Sequence, residues 1–315
     1  MPVRSKWESL PTEAINPSTL GIDKLSPQDI VEGMLNEDRK MLAAVQREKE
    51  RIAVGVEILA AALRHGGRIV FVGAGTSGRL GVVESAEMPP TFGTSPELVL
   101  AIMAGGKDAI LHPKEGVEDN YEEGARSINR LRPTKRDVVV GVSASGMTPF
   151  VRGALTRARR AGSKIIFVTC DPRTELQTFV DLTIAPAVGP EVIAGSTRLK
   201  AGTATKIVLN MLTTGAMVRI GKTYGNLMVD VQTGSDKLRD RARRIITIVT
   251  GLEADDAEKL LRQAHWNVKA AIVMKKSGLG YAKAVARLRR AHDVVREAIG
   301  EDVEARLQEL LRGGS

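Results

Sequence analysis

Two short stretches rich in glycine and small hydroxyl residues carry the most legible chemistry in this chain: Gly73-Ala74-Gly75-Thr76-Ser77-Gly78-Arg79 and Ser143-Ala144-Ser145-Gly146-Met147-Thr148-Pro149. Each follows an apolar, β-branched run. A phosphate dianion at a strand-to-helix junction is held by backbone N–H groups, by the positive end of the helix dipole and by hydroxyls small enough to approach without clash. Both stretches supply these features. Gly73, Gly75 and Gly78 also match the dinucleotide pattern G-x-G-x-x-G, but that pattern calls for a ribose-binding acid at the end of the second strand. The second apolar run ends in Met103-Ala104-Gly105-Gly106 instead. The hydroxyl pair Thr76-Ser77 and the second serine-rich loop favour a sugar phosphate over a nucleotide.

Two carboxylate pairs stand near these loops. Glu84 and Glu87 follow the first, before Met88-Pro89-Pro90, and Glu115 and Glu118 follow the second apolar run and its Ala104-Gly105-Gly106 turn. Each pair has the i, i+3 spacing that shares a helix face, if those stretches are helical. Carboxylates at a strand-end crevice can have their pKa raised by burial into the range useful for proton transfer. Arg198 and Lys200 are placed to meet anions, because Gly195 and Ser196 read as opening a helix there. His65 and His112 read as structural groups, and Cys170 closes an apolar strand and reads as core.

The elements that must position these residues are five short apolar runs over 68–73, 97–103, 137–142, 164–168 and 181–186, with room for a helical crossover between successive runs. This pattern predicts an α/β fold built on a doubly wound, five-stranded parallel sheet, with ligands at the carboxyl ends of the strands. Ser26-Pro27 reads as a helix cap followed by Pro at the first helical position, opening a helical region that runs toward Gly66-Gly67. From about residue 250 the pattern changes to three short amphipathic helices resembling a ubiquitin-associated module, read as a cap on the main domain or on a dimer. The expected organisation is an arm with helices over 1–67, a core over 68–245 and a helical module over 246–315.

The 315 residues are 43% hydrophobic, enough for a large core without disulfides or metals. The lone Cys170 and four scattered histidines offer no metal-ligand spacing, so no metal or other cofactor is expected. Near the start, Arg4, Lys6 and Glu8 precede no signal-like apolar stretch, and no later run approaches a membrane span of about 20 residues; a reducing cytoplasm is the expected compartment. Lys and Arg exceed Asp and Glu by 46 to 37, but aromatics make up only 3%. The surplus reads as a basic surface suited to anionic substrates rather than to nucleic acid.

The segments TEAINPSTLGIDKLS, FVGAGTSGRLGVVESAEMPPTFG, MAGGKDAI followed by EGVEDN, VVVGVSASGMTPFV, AGSTRLKAGTATKIVLNMLTTGAMV and GKTYGNLMVDV occur in this order. The ordered series resembles the N-acetylmuramic acid 6-phosphate etherases, a bacterial family built on the sugar-isomerase (SIS) domain, from Thr12 to the C-terminal helices. The resemblance implies cleavage of the ether joining D-lactate to C3 of the sugar, without metal or nucleotide, and it implies a homodimer. It assigns Glu87 of SAEMPPT as proton donor to the leaving lactate and Glu118 of EGVED as the second acid-base residue. Thr76, Ser77, Ser143, Ser145 and Thr148 match the loops that hold the sugar phosphate, with Arg198 and Lys200 as further anion contacts. Met147 stands where the second loop often has Arg, and Met88 where Cys is frequent; the first departure shifts anion binding toward Arg79, Arg198 or Lys200. A continuous helix would carry Glu87 about 15 Å beyond Ser77. Either that helix breaks, or the phosphate sits mainly in the second loop, or Glu87 serves a site shared across a dimer. The rival readings are a non-catalytic sugar-phosphate sensor, like the glucokinase regulatory proteins, and an aldose-ketose isomerase.

Overall fold

The computed structural model describes residues 10–313; Arg4, Lys6 and Glu8 lie outside them. The apolar runs form strands β1 (Ile69–Gly73), β2 (Val99–Met103), β3 (Val138–Val142), β4 (Lys164–Val168) and β5 (Leu182–Ile184), which among the described residues make one parallel sheet in the order β2-β1-β3-β4-β5. The chain divides into two compact units, one of the described residues through Ala86 with Pro96–Gly215, the other of Glu87–Ser95 with Ala216 onward.

The helices in chain order are α1 (Pro27–Arg47), α2 (Lys49–Arg64), α3 (Gly75–Phe92), α4 (Asp108–Leu111), α5 (Tyr121–Arg130), α6 (Pro149–Arg160) and α7 (Lys200–Arg219), followed by α8 (Asp236–Thr250), α9 (Ala254–Gln263), α10 (Val268–Ser277), α11 (Tyr281–Arg290), α12 (Val295–Ile299) and α13 (Glu304–Gly313). The cap read at Ser26 is present, its hydroxyl accepting from Asp29 N at 3.2 Å. The helical region that follows is two helices, because the chain turns at Glu48.

In the first unit, side chains alternate across the strands as the pleat requires. Val70 and Val72 of β1 pack with Val139, Ile165 and Phe167 against Phe150, Val151 and Leu155 of α6. Phe71 faces the other way, toward Gly81 of α3, where a Cβ would lie 2.9 Å from Phe71 Cβ. On α2, Gly55 gives the same close approach to Leu212 of α7, which a Cβ would meet at 2.6 Å. Every residue of β1 and β3 is buried, which is why these strands lack the polar alternation of a one-sided sheet.

In the second unit, Ala242, Ile246, Leu261, Ile272 and Leu288 of α8 to α11 share a buried cluster with Tyr224, Val229 and Val231. The expected boundary between 245 and 246 falls inside α8. Three helices were expected after residue 250; α9, α10 and α11 occupy that stretch, with α8 before and α12 and α13 after. The physical reason is that Ser235 caps α8, accepting from Leu238 N at 3.4 Å, so the amphipathic stripe begins ahead of the apparent change in pattern.

Candidate active site

The strand order reverses between β1 and β3: the chain goes from β1 outward to β2, then returns to lay β3 on the other side of β1. At such a switch point the two following loops diverge and leave a crevice outside the carboxyl ends of the strands. The loops after β1 and β3 are the two hydroxyl-rich stretches read from the sequence.

Glycine lets α3 start directly at the end of β1. A Cβ on Gly73 would lie 2.6 Å from Gly78 N, and one on Gly78 would lie 2.8 Å from Gly73 O. The first turn of α3, carrying Thr76 and Ser77, is thereby seated at the strand end. In the second loop Gly146 has φ +73, and Thr148 stands at the N-cap of α6 with Pro149 at the first helical position. Thr148 does not cap: its hydroxyl lies 2.7 Å from Ser143 Oγ, and Ser145 Oγ lies 3.4 Å from the same oxygen. Three hydroxyls thus converge beside the amide end of α6, where an anion is favoured by unsatisfied N–H groups and the helix dipole.

Thr76, Ser77, Ser143, Ser145 and Thr148 line one crevice of about 510 Å³, together with Glu115, Glu118, Arg79 and Lys114. Arg79 donates from Nε to Ile110 O at 2.8 Å and from Nη2 to Ala109 O at 2.9 Å, bracing the rim at α4. Lys114 pairs with Asp108 at 2.8 Å, which holds the Asp108 carboxyl below the usual range. Glu118 is exposed in a 3-10 turn over Val117–Asp119 that begins after the left-handed Gly116, so Glu115 and Glu118 are not on one α-helical face.

The other carboxylate pair is helical. Glu84 is 4% exposed and accepts from Asn210 Nδ2 at 2.5 Å and from the Thr213 hydroxyl. It ties α3 to α7. Glu87 is exposed, and α3 runs without a break from Gly75 through it. It belongs to the second compact unit.

Lys200 is engaged away from the crevice. It is 1% exposed and its Nζ lies 2.6 Å from Glu37 Oε2. Burial alone would push the Glu37 carboxyl up, but hydrogen bonds from Lys200, Lys40 and Asn16 hold it at about 2. A charge so deeply buried needs a partner, which is why Lys200 is committed inside the fold. The helix expected to open at Gly195 and Ser196 begins at Lys200, and its first amides are already taken: Glu191 accepts from Lys200 N and Ala201 N, both at 2.9 Å. Burial pushes the Glu191 carboxyl up. Arg198, on the turn before α7, is exposed and absent from the crevice lining.

His65 Nδ1 lies 2.6 Å from Ala61 O, and His112 Nδ1 lies 3.2 Å from Asp108. Burial pushes the Cys170 thiol to about 12. Among the described residues no three His, Cys, Asp or Glu side chains form a metal-holding group, and no helix is long and apolar enough to cross a membrane. A larger groove of about 890 Å³ opens at the amino ends of the strands, lined by Val54, Ile58 and Ala61 of α2 and by Val138. Of its two acids, Glu57 and Asp137, the latter is bound to Arg68 at 3.0 Å, and the groove has no hydroxyl cluster. The switch-point crevice is therefore the better candidate for sugar-phosphate chemistry.

Residues 51–159 match the family model of the glucokinase regulatory protein N-terminal SIS domain. The chain shares its fold with a phosphoheptose isomerase from Francisella tularensis, with TM-score 0.50 and 17% identity over 62% of this chain and 100% of that one. Sequence similarity is much stronger to N-acetylmuramic acid 6-phosphate etherase 2 of Vibrio cholerae serotype O1, 45% identical over 94% of this chain and 96% of the relative. The etherase of Nostoc punctiforme is 49% identical over 85% and 87% of the two chains. With identity of this order over most of both chains, the protein belongs to the N-acetylmuramic acid 6-phosphate etherase family.

Proposed function

We propose that the protein cleaves the D-lactyl ether of N-acetylmuramic acid 6-phosphate, giving N-acetylglucosamine 6-phosphate and D-lactate, in the cytoplasmic recovery of cell-wall sugars. The observation that carries this reading is the crevice at the β1–β3 switch point, where Thr76, Ser77, Ser143, Ser145 and Thr148 meet Glu118. The hydroxyls and the amide ends of α3 and α6 suit the phosphate, with Arg79 on the rim. Arg198 is free to serve as an outer anion contact, and Lys200 serves the fold.

The elimination needs two proton transfers, the addition of water needs the same two in reverse, and neither is a redox step. The open-chain aldehyde acidifies the proton on C2, and Glu118 removes it. Lactate then leaves C3 with a proton from Glu87, and water adds across the resulting double bond to restore the hydroxyl at C3. Glu87 and Glu118 are both exposed in the single chain, so the desolvation that tunes a carboxyl for this work comes from bound substrate and a second subunit. We place the enzyme as a homodimer, supported by Val31, Leu35 and Leu42, which leave an apolar stripe exposed along α1.

The test is a coupled assay for D-lactate with N-acetylmuramic acid 6-phosphate. Glu87→Gln should lower turnover by about 100-fold or more while C2 exchange with deuterated solvent continues, and Glu118→Gln should lose both. Reversal of that pattern would exchange the two roles. Near-normal turnover in both variants would remove the site. The same assay separates the reading from a sensor, which releases nothing, and from an aldose-ketose isomerase, which releases no lactate.

A further inference from the structure

The crevice has a wall that the hydroxyl loops do not supply. The segment from Leu10 to Thr19, irregular up to a 3-10 turn over Pro17–Thr19, passes along it, and Leu10 and Glu13 line the crevice beside Gly195 and Thr197. Irregular segments are ordinarily loosely held, but this one is pinned from beneath. Gly195 N donates to Thr12 O at 3.0 Å, Thr19 Oγ1 donates to Val192 O at 2.9 Å, and Asn16 Nδ2 donates to Glu37 Oε2 at 3.0 Å. Thr12, Asn16, Glu37 and Lys200 are each 5% exposed or less. Through Asn16, the ion pair between Glu37 and Lys200 is therefore one anchor of the segment that carries Glu13.

Glu13 itself is exposed, and among the described residues its carboxylate makes no hydrogen bond or ion pair. The turn opposite passes close to it: Gly195 has φ +78, and a Cβ there would lie 2.9 Å from Glu13 Oε2. An ionised carboxylate only accepts hydrogen bonds and repels phosphate and lactate oxygens. Its partner in this crevice must be a donor on the neutral part of the substrate.

We propose that Glu13 is a specificity-determining residue that accepts a hydrogen bond from a hydroxyl or amide N–H of the sugar, on an N-terminal strap fixed by the buried Glu37–Lys200 pair. This rests on the reading of the crevice as a sugar-phosphate site. It assigns the anchored strap to sugar recognition and the two loops to phosphate.

Calorimetric binding of N-acetylglucosamine 6-phosphate, with inorganic phosphate as the second probe, tests the division without requiring turnover. Hydrogen bonds to charged groups predict that Glu13→Ala weakens the sugar phosphate by about 10-fold or more and leaves inorganic phosphate unchanged. Glu13→Gln, which keeps a carbonyl acceptor, should recover part of the loss. Equal affinity of wild type and Glu13→Ala for the sugar phosphate overturns the proposal. A parallel loss for both probes also overturns it, since the residue would then be shaping the whole crevice. In the lactate assay the variant should raise KM with kcat within about 3-fold; a fall in kcat at constant KM would make Glu13 a proton-transfer group and refute its role in recognition. If wild type binds the sugar phosphate but releases no lactate, the etherase reading fails while the Glu13 result still stands or falls by its own affinities.

Discussion

Glu84 and Glu87 are three residues apart on α3, and their surroundings give them different work. Glu84 is enclosed and holds Asn210 and Thr213, while Glu87 is open to solvent. Glu84→Ala removes the acceptor for two side chains on α7, leaving Asn210 Nδ2 without it while the Thr213 hydroxyl retains Leu209 O at 3.1 Å. It should cost about 1–3 kcal/mol in urea unfolding, with any loss of activity traced to folded fraction. A Glu84→Ala protein of wild-type stability would show that this clamp does not hold α3 to α7.

At the scale of elements, the anchoring of α1 to α7 depends on ionisation. The Glu37 carboxyl, held at about 2 in the fold, has an ordinary value of 4.5. A carboxyl lowered by folding stabilises the native state above its unfolded pKa, and that contribution disappears as pH falls through the folded one. Between pH 4.5 and 2 the wild type should therefore lose the advantage it holds over Glu37→Gln, an advantage of about 3 kcal/mol near neutrality because the variant leaves Lys200 buried and unpaired. Urea midpoints for both proteins at about pH 7, 4 and 3 measure this; a constant gap would assign the variant's loss to packing. The strap over Leu10 to Thr19 should become more susceptible to proteolysis over the same interval.

For the whole molecule, the stripe of Val31, Leu35 and Leu42 on α1 sets the expectation of a dimer. Light scattering at micromolar concentration should give twice the chain mass of 33.9 kDa, and Leu35→Asp should shift it toward the monomer. A wild-type monomer with full turnover would remove the shared-site reading of Glu87. An unchanged dimer in Leu35→Asp would move the interface off α1.

The five strands and the cap of α1 were legible because their causes are local: short apolar runs of β-branched residues, a Ser before a Pro, glycine where a strand meets a helix. The two hydroxyl loops were legible for the same reason, since a phosphate cradle is written in consecutive residues. Resemblance to a family then assigned Glu87 and Glu118, which spacing alone left among four equivalent carboxylates. Tertiary structure decided what depends on distant neighbours. Lys200 looked like an anion contact until Glu37, 163 residues away, was found beside it, and Glu191 had already occupied the helix end read as free. Glu13 lies in the segment TEAINPSTLGIDKLS but drew no role from sequence, because a lone carboxylate there is unremarkable until the strap that carries it is laid along the crevice. Local chemistry fixes which elements form, and burial by residues remote in the chain determines which of their side chains remain available to a substrate.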